Sequence, residues 1–273
     1  MLRSTVITIA ALVPLLIGNI AAAQTVNTIV VFVASGDSLT GCSQDAFFSW
    51  IGKTSTAQCQ NPQDQAASLY VSDTVANVSG VRVIGVNIGI SGARLNSGAQ
   101  TDFANLAPVW IDPIVVYKTV SGFGKVSSTI PNRIYVIDCA IGSNDEAIDG
   151  YATPALYAAA VASACVARKT AGFNYALMTT LLPRADGTMT ESNRLAYNAL
   201  LTSSPWRAAN GIDGVIDFAG QTIMGNPVNL PANNGGDMSY YNADNIHYTQ
   251  FGSTLLAPIM QSSLKVLLPG LFN

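Results

Sequence analysis

The chain carries one histidine, His247, in the segment "DNIHYTQFG" near its C-terminus, and Asp244 stands three residues before it. Imidazole is the side chain best suited to moving protons near neutral pH. A carboxylate on its far nitrogen fixes the tautomer and stabilises the imidazolium, so Asp244 on the same turn equips His247 as a general base. Such a base needs a nucleophile, because a serine hydroxyl is weak until its proton is taken. Three glycine-containing segments offer polar partners: "SGDSLTG" (35–41) with Ser38, "IGISGARL" (88–95) with Ser91, and "IGSNDE" (141–146) with Asn144. Glycine lets the backbone turn tightly and present N–H groups, and the Asn144 amide adds two further donors. Together these are the parts of serine-based acyl transfer: nucleophile, base, orienting acid and donors for an oxyanion.

These segments directly follow predicted strands. "TIVVFVA" (28–34), "VRVIGVN" (81–87), "RIYVIDCA" (133–140), "YALMTTLL" (175–182) and "GVIDFAG" (214–220) are short and rich in β-branched residues. Most are continuous apolar runs, as expected of strands covered on both faces. Helical patterns separate them. Residues 62–76 are predicted helical. The stretch from Thr153 has an N-cap threonine, Pro154 at the first helical position, basic Arg168 and Lys169 at its end, and a stop at Gly172. Thr190 to Thr202 and Thr249 to Val266 complete the set. Strands alternating with helices predict a doubly wound, mostly parallel α/β sheet, whose ligands bind at the carboxyl ends of the strands. No repeat or linker divides the chain, so one domain is expected over residues 24–273. Segment 96–130 shows no clear pattern.

Composition narrows the partners. The 273 residues are 49% hydrophobic and 11% charged, with a formal net charge of −3 and no basic run. Phosphate binding needs clustered Lys and Arg, which argues against nucleic acid; the same deficit argues against an anionic membrane surface. The first residues combine Arg3, an apolar run from Val6 to Leu16 and "AAA" before Gln24. That describes a secretory signal peptide over residues 1–23, cut after Ala23, and a secreted or periplasmic product with no stable membrane insertion. Pro14, Gly18 and Asn19 interrupt the run short of the ~20 residues a span needs. Four cysteines in an exported chain suit two disulfides. Cys42 and Cys59 bracket a polar loop; Cys139 on a strand and Cys165 on the next helix either pair or remain two buried thiols. With one histidine and no C-x-x-C, no metal site is expected.

The segments also carry a resemblance. "GDSL" at 36–39, "NIGISG" at 87–92, "GSND" at 142–145 and "DNIH" at 244–247 resemble the four signature blocks of the SGNH (GDSL) hydrolase family, in that family's order. The resemblance spans essentially the whole chain after residue 23. It implies Ser38 as nucleophile, His247 as base and Asp244 as orienting carboxylate. It implies oxyanion donors from the Ser38 N–H, the Gly92 N–H and the Asn144 side chain. It further implies a flavodoxin-like, three-layer α/β/α fold around a five-stranded sheet, and ester or thioester hydrolysis without a cofactor. Asp37 and Asp145 are expected to brace their turns.

Two rivals stand beside this reading. "GISGA" at 89–93 approaches the G-x-S-x-G elbow of another hydrolase fold and would make Ser91 the nucleophile, although Ala93 occupies the last glycine position. The scaffold could instead serve a non-catalytic carbohydrate-binding or surface protein, since a fold does not fix a function. As an esterase, it would act on small-molecule or polysaccharide esters (short acyl or O-acetyl groups) or on lipid esters as a lipase or lysophospholipase. Tyr240, Tyr241 and Tyr248 near His247 are candidates for stacking on sugar rings or for packing.

Overall fold

The computed structural model describes residues 28–41, 69–72, 81–87, 93–95, 132–145, 153–170 and 172–272. The expected signal peptide, Cys42, Cys59, Ser91, Gly92 and segment 96–130 lie outside these residues. Six strands form one sheet: β1 (Thr28–Gly36), β2 (Leu69–Ser72), β3 (Val81–Asn87), β4 (Asn132–Ala140), β5 (Tyr175–Thr179) and β6 (Gly214–Ile216). Their spatial order is β2-β3-β1-β4-β5-β6. All neighbours pair in parallel except β2, which runs antiparallel along β3. Without that edge strand the order is the flavodoxin-like 2-1-3-4-5, and its switch point lies between β1 and β4. The order reverses there, so the chain leaves those two strands in opposite directions and opens a crevice at their carboxyl ends.

The helices are α1 (Ser38–Gly41), α2 (Pro154–Thr170), α3 (Glu191–Thr202), α4 (Ser204–Ala209) and α5 (Gln250–Leu267). Three start as the sequence predicts, on threonine caps: Thr153 accepts from the Leu156 N–H, Thr190 from Asn193 and Thr249 from Gly252. One face of the sheet packs Val30, Phe32, Val136 and Leu177 against Leu256, Met260 and Leu264, which recur every fourth residue along α5. The other packs Val33, Ile137, Cys139 and Met178 against Val161, Ala162 and Cys165 of α2. Apolar residues of β1 and β4 therefore enter both cores, which accounts for their continuous hydrophobicity. Cys139 and Cys165 form a disulfide that joins β4 to α2.

Three elements differ from expectation. Residues 69–72 of the predicted helix 62–76 form β2, because "LYVS" brings β-formers into register with Val83–Val86. The sheet thus has six strands rather than five. Predicted strand 175–182 ends at Thr179: the Leu181 N–H donates to the Asn198 side chain, and the Leu181 carbonyl accepts from Asn198 and Arg194, so side chains replace the ladder. Predicted strand 214–220 ends at Ile216, where Asp217 caps a 3₁₀ turn by accepting from the Gly220 N–H.

Candidate active site

β1 delivers Ser38 to the switch point. A Cβ on Gly36 would lie 2.2 Å from the Ala140 carbonyl oxygen and 2.4 Å from Thr40 Oγ1. Only glycine lets the ends of β1 and β4 approach so closely. Asp37 then opens α1, accepting from the Leu39 N–H at 2.9 Å through Oδ1, while its carbonyl accepts from the Thr40 N–H. Ser38, at the first position of α1, is buried.

The histidine arrives on a turn held from several sides. Tyr241 and Tyr248 bridge its two ends, and the Asn242 N–H donates to the His247 carbonyl at 2.7 Å. Asn245 takes φ 59°, a left-handed conformation that asparagine tolerates better than most residues. Its carbonyl accepts from Ala185 and its side chain from Ala232, tying the turn to two flanking loops. Asp244 accepts from the Ile246 and His247 N–H groups, both at 3.0 Å, and its Oδ2 lies 2.7 Å from His247 Nδ1. On the other side of the ring, His247 Nε2 lies 2.8 Å from Ser38 Oγ. The carboxylate holds the ring proton on Nδ1, leaving the Nε2 lone pair to accept the serine hydroxyl. Partial burial alone would push the Asp244 carboxyl up, but the hydrogen bonds from His247 and Ile246 outweigh it and hold the group below its ordinary range. Asp244 is therefore an anion wherever the ring needs one. The Tyr248 hydroxyl donates to the Leu39 carbonyl at 2.8 Å, fastening the histidine segment to the serine segment.

Asn144 follows β4 on the opposite lip of the crevice. One of its amide hydrogens goes to the Ala93 carbonyl at 3.2 Å, and the second finds no acceptor among the described residues. That orientation leaves one side-chain donor for a ligand oxygen. Next to it, the Arg184 guanidinium donates to both the carbonyl and the hydroxyl of Ser143 while its other edge pairs with Asp186. Arg184 thus supports the backbone from which Asn144 projects.

Asp37 is the unexpected group. Its Oδ2 is buried and takes no hydrogen bond among the described residues, and the other described walls of the adjoining ≈ 40 Å³ cavity carry no charge. Burial pushes its carboxyl up to about 6, against the lowering effect of the Leu39 N–H, the charges of Arg184 and His247 and the Ser143 N–H. Below pH ~4 the group is protonated in folded and unfolded chains alike. As pH rises toward 6 the unfolded chain releases the proton first, so stability falls, by on the order of 3 kcal/mol, and then levels off. Asp37→Asn keeps a capping side chain that stays neutral. Relative to the parent, this variant is expected to gain about that much stability between pH ~4 and ~7 in denaturant titrations. Parallel stability curves would contradict it.

The structure therefore brings together Ser38, Asn144 and the Asp244–His247 turn from three separate stretches of chain, whereas Gly92 and Ser91 lie outside the described residues. The chain's single imidazole lies within hydrogen-bond distance of Ser38 Oγ. Tyr241 and Tyr248 are packing residues, buried and bonded to Met224 and Leu39. Tyr240 stacks on Phe251, with ring centroids 5.8 Å apart. Arg184, Tyr157 and the unpaired edge of Asp37 were not singled out from sequence. For Arg184 a signal existed, a cation in "LLPRADG" just beyond a strand end. Among the described residues, no cluster of His, Cys, Asp and Glu could hold a metal, and no helix is long and apolar enough to cross a membrane.

No protein-family model and no curated protein matches the chain. Solved structures do align with it. A lipase/acylhydrolase from Enterococcus faecalis shares 16% identity over 86% of this chain and 93% of its own, with a TM-score of 0.43. A member of the lipolytic protein G-D-S-L family from Veillonella parvula shares 14% over 85% and 97%, with a TM-score of 0.48. A catalytic mutant of an acetylxylan esterase from Geobacillus stearothermophilus shares 16% over 88% and 95%, with a TM-score of 0.45. At such identities and scores the likeness by itself assigns neither activity nor substrate.

Proposed function

We propose that this chain is an exported serine esterase of the SGNH (GDSL) type. The observation that carries the reading is the His247 ring, within hydrogen-bond reach of Ser38 Oγ on one nitrogen and of Asp244 on the other. His247 takes the Ser38 proton as Oγ bonds to the ester carbonyl carbon, and the carbonyl electrons move onto oxygen. The Ser38 N–H, the Gly92 N–H and the second Asn144 hydrogen receive that oxyanion. When it collapses, the alkoxide leaves with the proton from His247. A water, deprotonated by the same ring, then attacks the acyl-serine carbon; as the bond from that carbon to Oγ breaks, the acid leaves and the ring returns the proton to Ser38 Oγ.

Acetyl and other short acyl esters, free or on a polysaccharide, are the proposed substrates. The half-exposed Tyr240 on the exposed Phe251, beside the His247 turn, supports a saccharide by offering an aromatic surface on which a sugar ring can lie. The Cys139–Cys165 disulfide supports an oxidising compartment. Hydrolysis of p-nitrophenyl esters of increasing chain length, with acetate release from acetylated xylan and pectin, tests the reading. The expected result is fastest turnover of the shortest esters and measurable acetate. A preference for long chains would indicate a lipase instead, and no hydrolysis of any ester would favour a non-catalytic binding protein.

A further inference from the structure

Asn144 is useful as an oxyanion donor only if its amide is held in one orientation, and the contacts that hold it converge on its neighbour. Asp145 is buried, with its backbone N–H donating to the Gly142 carbonyl at 3.3 Å. Its Oδ1 accepts from the Leu95 N–H at 2.7 Å and its Oδ2 from the Tyr157 hydroxyl at 2.5 Å. Asn144 donates to Ala93 in the same short segment that Asp145 holds through Leu95. Segments 93–95 and 144–145 are therefore cross-linked twice, in opposite senses. Tyr157 belongs to α2 and braces the assembly from behind. A Cβ on Gly142 would meet its ring at 3.1 Å, and Gly142 itself takes φ 134°. Burial and the Asp145 charge both push the Tyr157 hydroxyl well above its ordinary range, so it remains a donor throughout the working pH range.

We propose that Asp145 is a positioning residue for the oxyanion site: anchored by the Tyr157 hydroxyl, it holds segment 93–95 through the Leu95 N–H, and the Ala93 carbonyl of that segment sets the direction in which the Asn144 amide points. Asp145 touches no reacting atom. Its effect passes through Asn144, and this role deepens the esterase reading, on which it rests. A freely rotating amide spends part of its time with no N–H aimed at the crevice, so turnover falls while ground-state binding is largely kept.

A double-mutant cycle tests this, with kcat and KM measured on a short p-nitrophenyl ester for the parent, Asp145→Ala, Asn144→Ala and the double variant. Asp145→Ala is expected to lower kcat about tenfold or more with little change in KM, and to change kcat less than about twofold when Asn144 is already alanine. Asp145→Asn should recover most of the loss. Its oxygen still accepts from Leu95, and its amide can donate to the Tyr157 oxygen. If Asp145→Ala does not fold, as judged by circular dichroism, Tyr157→Phe replaces it in the same cycle. That variant removes only a hydroxyl, and a several-fold fall in kcat is expected that likewise vanishes beside Asn144→Ala. Equal losses in both backgrounds, or a loss confined to KM, would overturn the positioning role while leaving the esterase reading intact. A folded parent that hydrolyses no ester would overturn both.

Discussion

Ser38→Ala and His247→Ala are each expected to lower kcat for ester hydrolysis by about 10⁴–10⁶-fold, and the double variant to be no slower than the worse of the two. The size follows from the chemistry. Without Oγ no acyl-enzyme forms, and the remaining donors can only assist attack by water. Without the imidazole, the Ser38 hydroxyl keeps its proton, and no other histidine exists to replace it. The two losses do not add because Nε2 and Oγ, 2.8 Å apart, act in a single step. Ser38 is small and His247 is partly exposed, and neither belongs to the hydrophobic core, so melting temperatures should change far less than rates. Steady-state assays at high enzyme concentration, with circular dichroism as a control for folding, check the prediction. A Ser38→Ala variant with parent-like turnover would exclude Ser38 as nucleophile and return attention to Ser91.

Asn144→Ala is expected to lower kcat by about 10²–10³-fold, well short of abolishing activity, because it removes one donor and leaves the backbone N–H groups in place. Its KM should change little: the hydrogen that the account assigns to the oxyanion bonds most strongly when charge has developed on the substrate oxygen. Asn144 also loses its bond to Ala93 in this variant, so a modest fall in stability is expected. A loss expressed wholly in KM would mean that Asn144 binds substrate without stabilising the transition state.

Much of this was legible in the sequence because it is local. Threonine caps, strand runs separated by helices, and an aspartate three residues before a histidine all depend on near neighbours along the chain. Strand-end placement then collected Ser38, Ser91 and Asn144 at one edge, since a parallel sheet with right-handed crossovers puts its carboxyl ends together. What sequence did not reveal depends on contacts across long separations. The end of β5 at Thr179 is set by Asn198 and Arg194. The strand at 69–72 becomes one only by pairing with β3. Asp37 reads as an ordinary turn aspartate, and only the burial of its second oxygen makes its ionisation costly. Tyr157 appears as one apolar-face residue of a helix until its hydroxyl is seen against Asp145.

The central claim is that Ser38 is a nucleophile activated by His247, and covalent trapping tests it most directly. The protein is treated with a fluorophosphonate, digested and mapped by mass spectrometry, with His247→Ala treated in parallel. The account predicts a single phosphonylated residue, Ser38, in the parent and almost no labelling in the His247 variant. Labelling at Ser91, unchanged labelling without His247, or no labelling of folded protein would contradict it.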